Sequence, residues 1–147
     1  MGSFVTVINN LVTLLQGTGT PLQVWSQSKF NRSVIIKKVY KNRTEVNASD
    51  LPIILIARPL LEKSYLINAS RNGKHTVRFY AGFHQPDRRV ALDQFIEFEE
   101  MIDDTLLSVP PESLGAIILD PKHSANDEGK FHPYYFHVCE IEIKHRR

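Results

Sequence analysis

Histidines, carboxylates and one thiol gather in the last quarter of the chain. His123, His132, His137 and His145 fall near Asp120, Asp127 and Glu128, residue types that bind zinc or exchange protons with a substrate. Their spacings match no metal-site pattern, so they are assigned to loops and strand faces, and no metal ligand or cofactor is assigned. The sharper constellation is Asp120, preceded by Ile117, Ile118 and Leu119, with Glu142-Ile143-Lys144 further on. Two such carboxylates can grip Mg²⁺ while the lysine stabilises charge developing on a phosphate or on an attacking water. Cys139 is the only cysteine. With no histidine in a defensible pairing role it is a small core residue, and no internal disulfide is possible.

The Asp120, Glu142, Lys144 set implies a metal-dependent nuclease, kept here as the alternative from the enzyme class. Its motif is short, and Glu140, Glu142 and Lys144 equally describe the wet face of a half-buried strand. The favoured expectation is a protein that is not an enzyme. It starts from the charges, which are sorted along the chain. No acidic residue precedes Glu45, whereas Lys29, Arg32, Lys37, Lys38, Lys41 and Arg43 are all basic. From Asp87 to Asp104 the balance inverts, with Asp93, Glu97, Glu99, Glu100 and Asp103 between them against Arg88 and Arg89. The formal net charge of +2 conceals this separation. A basic and an acidic surface on one molecule can bring copies together head to tail, and such a contact closes into a ring when the rotation per subunit allows. DNA binding by the basic stretch is a weaker expectation, because its cations fall on strands and loops and the later helix is acidic.

What must position these residues is one domain spanning 1–147, since 147 residues with 42% hydrophobic content suit a single core. The apolar patch from Phe4 to Leu15 is broken by Asn9, Asn10 and Thr13, with no basic residue before it. It predicts neither a signal peptide nor a membrane span. Instead Phe4, Ile8, Leu11 and Leu15 have helical spacing behind Ser3 as cap, with Gly17 as the end. Leu22, Val24 and Ser26 alternate with Gln23 and Trp25, which predicts a strand, followed by a polar loop from Ser26 to Arg32. A second strand is expected over Ser33 to Tyr40.

Asp50 to Pro59 is a continuous apolar run, predicting a strand covered on both faces that enters at Pro52 and leaves at Pro59. Asn72-Gly73 predicts a tight hairpin turn between strands Tyr65 to Ala69 and His75 to Phe83, with His75, Val77, Phe79, Ala81 and Phe83 on one face. Pro86 and Asp87 open a helix to Leu107 with the stripe Ala91, Leu92, Phe95, Phe98, Ile102 and Leu106. A short strand, Ala116 to Leu119, leads to a polar segment from Asp120 to Lys130, expected to be a mobile loop. In the last strand, Tyr134 to Lys144, apolar residues change parity, requiring a bulge near Cys139 or burial of both faces. The fold class is α+β: a mixed, mostly antiparallel sheet covered by two helices.

In order, the opening helix Phe4 to Gln16, the strand entered through Asp50-Leu51-Pro52 with Ile53 to Ala57, the strand Thr76 to Phe83 feeding the helix Val90 to Leu107, and the closing strand Tyr134 to Lys144 resemble the bacteriophage tail terminator, or tail-completion, proteins. That family includes the minor tail protein U of phage lambda and related terminators of contractile tails. The resemblance covers nearly the whole chain and implies a virion protein, made in the bacterial cytoplasm. It would form a homohexameric ring that caps the head-proximal end of the tail tube, ends tube polymerisation and offers a docking surface to the neck, without catalysis. Another neck or baseplate component is the alternative within that class. The implied partners are further copies of the chain, the tail tube or sheath protein and a neck or connector protein, with DNA only passing through the channel and no membrane. On this footing Lys37, Lys38, Lys41 and Arg43 would face Glu97, Glu100, Asp103 and Asp104 of a neighbour. Acidic residues lining the channel are equally compatible. The polar segment carrying Lys122, His123, Asn126, Asp127 and Glu128 would then contact a partner protein.

Overall fold

The computed structural model describes residues 3–39, 48–65, 71–116, 118–126 and 128–146. Helix α1 (Phe4–Gln16) forms as its spacing requires, burying Val7, Leu11 and Leu15. Ser3 holds the cap position, but its side chain makes no capping bond, and its carbonyl accepts the Thr6 N–H at 3.0 Å.

Leu22 to Ser26, expected as a strand, belongs instead to helix α2 (Pro21–Phe30). Proline suits the first turn of a helix, where its missing N–H loses nothing. The buried residues Leu22, Gln23, Trp25 and Ser26 form one helical face. Gln23 explains the misreading, because it is polar yet buried: its amide donates to the carbonyls of Leu15 (2.8 Å) and Val34 (3.0 Å), and its oxygen accepts the Val34 N–H at 2.8 Å. The otherwise unsatisfied N–H of Leu22 donates to the Thr105 hydroxyl at 3.0 Å, so a distant helix caps α2.

Strands β1 (Ile35–Lys38), β2 (Ile53–Tyr65), β3 (Arg71–His84), β4 (Ile118–Asn126) and β5 (Tyr134–Arg146) form one sheet in the order β1-β2-β3-β5-β4. β1 runs parallel to β2, and every other pair is antiparallel. The apolar entry of β2 is covered on both faces as predicted, Ile54 and Ile56 joining the main core and Ile53 and Leu55 a smaller cluster with Leu51. Pro59 does not end the strand. It falls where the β2–β3 register shifts between Ala57 and Leu60, a place where a missing N–H is tolerated. The hairpin is present, but Asn72 and Gly73 lie inside β3, paired with Ser64 and Lys63. Its connection is at residues 66–70, which lie outside the described residues. Cross-strand pairing over the long arms thus overrode the local preference of Asn-Gly.

Helix α3 (Arg88–Leu106) is capped by Asp87, whose carboxylate accepts the Arg89 N–H at 2.9 Å. Ala91, Phe95, Phe98, Ile102 and Leu106 are buried, but Leu92 of the predicted stripe is 61% exposed. The fold is α+β, and among the described residues three α-helices, one more than expected, pack on the sheet as a single domain. β3 and β5 pair without interruption from Asn72 opposite Arg146 to His84 opposite Tyr134, so no bulge occurs at Cys139. The odd residues Tyr135 to His145 point into the helix-covered core, and the bulge lies instead in β4, between Pro121 and His123. Among the described residues no helix is long and apolar enough to cross a membrane.

Candidate functional site

Lys37 and Lys38 are exposed on β1, at one edge of the sheet. Lys38 donates to the Asn9 side chain at 2.6 Å, tying β1 to α1. Lys41 and Arg43 lie outside the described residues. The acids sit on α3, and the structure divides them. Glu100 and Asp104 are exposed, while Glu97 faces Lys29 of α2 at 3.9 Å. Asp103 is half-buried, and desolvation first, then the charges of Glu99 and Asp104, raises its carboxyl above the ordinary value. Among the described residues, no ion pair within the chain joins Lys37 or Lys38 to these acids.

The expected mobile loop is largely ordered strand. Lys122, His123 and Asn126 belong to β4, Asp127 lies outside the described residues, and Glu128 is exposed in the following turn with φ 57°. A polar sequence can form this strand because β4 is an edge: it needs one hydrogen-bonding partner, β5, and the bulge accommodates Pro121. The same pairing sets Asp120 directly opposite Glu142. Glu142 is already engaged by Lys74 at 3.2 Å, and Lys144 stands opposite Ile118.

The histidines have separate fates. His132 bonds the Tyr135 hydroxyl through Nδ1. His75 and His145 are buried around Phe4, whose ring stacks on His75 at 3.5 Å. His137, 2% exposed, lies edge-on between Phe95 and Phe98, with ring centroids 5.4 and 5.2 Å away. Burial pushes its imidazole down to about 4, so the ring is neutral. Neither of its nitrogens has a hydrogen-bond partner among the described residues.

Two positions on, and on the same face of β5, Cys139 is also buried. Glu99 reaches this pair from α3, and one ligand atom from each of Glu99, His137 and Cys139 lies within 4.8 Å of the others. Burial, then the carboxylates of Glu99 and Asp103, pushes the Cys139 thiol up to about 12. Sequence reasoning missed this group because its members come from a helix and a strand. The available signal was parity: His137 and Cys139 share that of Ile141 and Ile143, the core face. Nearby, a groove of about 330 Å³ opens between the start of α3 and the β4–β5 turn, lined by Arg88, Leu92, Phe95, Glu128 and Tyr135 among others. No protein-family model matches the chain, and no curated protein matches its sequence.

Proposed function

We propose that the chain is a structural protein of a bacteriophage tail, a terminator whose copies form a ring, expected to be hexameric, at the head-proximal end of the tube. The observation that carries this is the outer face of α3. Leu92 and Ile96, one turn apart, are 61% and 47% exposed, and on the same helix Glu100 and Asp104 are exposed without an ion pair among the described residues. Apolar residues flanked by unpaired acids make a contact surface for another protein. Lys37 on the β1 edge supplies the opposite charge elsewhere on the same molecule, which supports a head-to-tail contact between copies. Such a ring would stack on the tube or sheath protein on one side and receive the neck on the other. Glu97 and Asp103 contribute less in this arrangement, one being paired within the chain and the other partly buried.

Native mass spectrometry with electron microscopy of assembled tails tests the ring. A closed ring at one end of each tail is expected, and a lone copy per particle would sink the proposal. Exposed ion pairs contribute only about 0–1 kcal/mol each, so reversal of Lys37 and Lys38 together is needed to weaken assembly. Reversal of Glu100 and Asp104 should restore it.

The nuclease alternative keeps one specific support, the cross-strand placement of Asp120 and Glu142. Mg²⁺-dependent DNA cleavage lost in both Asp120→Ala and Glu142→Ala would establish it over the ring. Normal tail assembly by both variants would remove it.

A further inference from the structure

We propose that Glu99, His137 and Cys139 bind a divalent transition metal of the zinc class, tying α3 to β5 inside a single chain. Three observations converge. Ligand atoms from all three lie within 4.8 Å of one another. In a tetrahedral zinc site, ligand atoms sit roughly 3.5 Å apart, so closing around an ion draws any two of them together by no more than about 1.3 Å.

Second, His137 presents both nitrogens without a partner in a setting 2% exposed. A buried polar side chain without a partner calls for a physical reason, and a bound ion is one. The flanking Phe95 and Phe98 rings hold the imidazole without offering it an acceptor. Among the described residues the only other buried side-chain nitrogen or oxygen without a partner is Trp25 Nε1, a donor that cannot bind a metal.

Third, the donor set is selective. A thiol, an imidazole and a carboxylate suit zinc or cobalt, whereas calcium and magnesium take oxygen ligands. Glu99 brings its carboxylate to the buried thiol and imidazole, and a cation bound there would take the thiol as thiolate with release of its proton. Asp103 follows Glu99 by one helical turn on α3 and would be the outer carboxylate of such a site.

The site lies within one chain, so its test is independent of ring assembly. Full-length protein without an affinity tag is dialysed free of metal and titrated with Co²⁺ as the spectroscopic probe. One equivalent should bind per chain with a thiolate-to-cobalt charge-transfer band in the near ultraviolet, and Zn²⁺ should displace it. Cys139→Ser should abolish the band, and His137→Phe should remove tight binding. Both substitutions fall in the core, so Glu99→Gln and Asp103→Asn, at half-exposed positions, keep the test decisive if those variants fail to fold. Each should weaken Zn²⁺ binding by about tenfold or more with the circular dichroism unchanged. Folded wild-type protein that takes up no Co²⁺, or that binds it without a thiolate band and equally well as Glu99→Gln, would overturn the proposal.

Discussion

The two faces of the sheet treat polar side chains in opposite ways. On the helix-covered face of β3 and β5, the neighbours of His75, His137 and His145 include Val77, Phe79, Ile141 and Ile143. On the other face, polar residues find each other across strands: Arg78 reaches Glu140 at 3.3 Å and Lys74 reaches Glu142 at 3.2 Å. Tyr80 and Glu140 hold the Arg78 guanidinium further toward its charged form, against the opposing effect of burial. Among the described residues, the buried apolar cluster on this second face is small: Leu51, Ile53 and Leu55, with Ile35, Val39, Tyr80 and Tyr134 packed against it. Phe136 lies over Gly82, its cross-strand partner, so closely that an added Cβ would come within 2.7 Å of the ring. An aromatic covering a strand glycine replaces packing that none of the described helices supplies there. Polarity is thus settled locally on the open face. On the covered face a polar group must have a distant partner or some other reason to be there.

The comparison predicts unequal costs of truncation. Phe98 is fully buried among Trp25, Phe83 and His137. Phe98→Ala should destabilise the fold by about 3–5 kcal/mol. Arg78→Ala removes a partly exposed ion pair and should cost about 0–1 kcal/mol. Urea denaturation of both variants measures the difference. Equal losses would mean that the open face is covered by more than its own small cluster.

A second contrast separates buried from exposed polar contacts within α2. Gln23→Leu keeps the volume and leaves the Leu15 carbonyl and both backbone groups of Val34 without this partner. Each group left unpaired should cost about 1–3 kcal/mol. Gln27, one turn later, bonds Ser33 in an exposed position, so Gln27→Ala should stay within about 0.5 kcal/mol. Thermal melts of the pair would show whether Gln23 organises the join between α1, α2 and β1.

The same contrast explains what was legible in the sequence. α1, α3 and the inward face of β3 were readable because periodicity alone specifies them: Val7, Leu11 and Leu15 repeat at helical spacing, and His75 to Phe83 alternate. α2 was not readable, because Gln23 and Ser26 are buried for the sake of carbonyls outside the helix, on α1 and in the connection to β1. β4 was lost for a related reason, since its polar residues become a strand only through pairing with β5. The segregated charges could be read, but Lys29 facing Glu97 could not, nor the partial burial of Asp103. The Glu99, His137 and Cys139 group was invisible as a spacing, because α3 brings one member to a strand that follows much later.

The smallest expected effect belongs to the most exposed polar contact, the cap of α3. Arg89 lowers the Asp87 carboxyl from its ordinary 3.8, first through its side chain and then through its backbone N–H. A carboxylate whose value is depressed in the folded state binds fewer protons there than in the unfolded chain. Its contribution to stability is therefore complete above 3.8 and is lost as the pH falls through the lower folded value. Asp87→Asn keeps a side chain that caps helices well, so the thermal midpoint at neutral pH should barely move. Between roughly pH 2 and 5, the midpoint of the wild type should fall slightly more steeply than that of the variant. Parallel acid limbs would mean that the carboxylate is no better held in the folded chain than in water, and that α3 is anchored by its buried face alone.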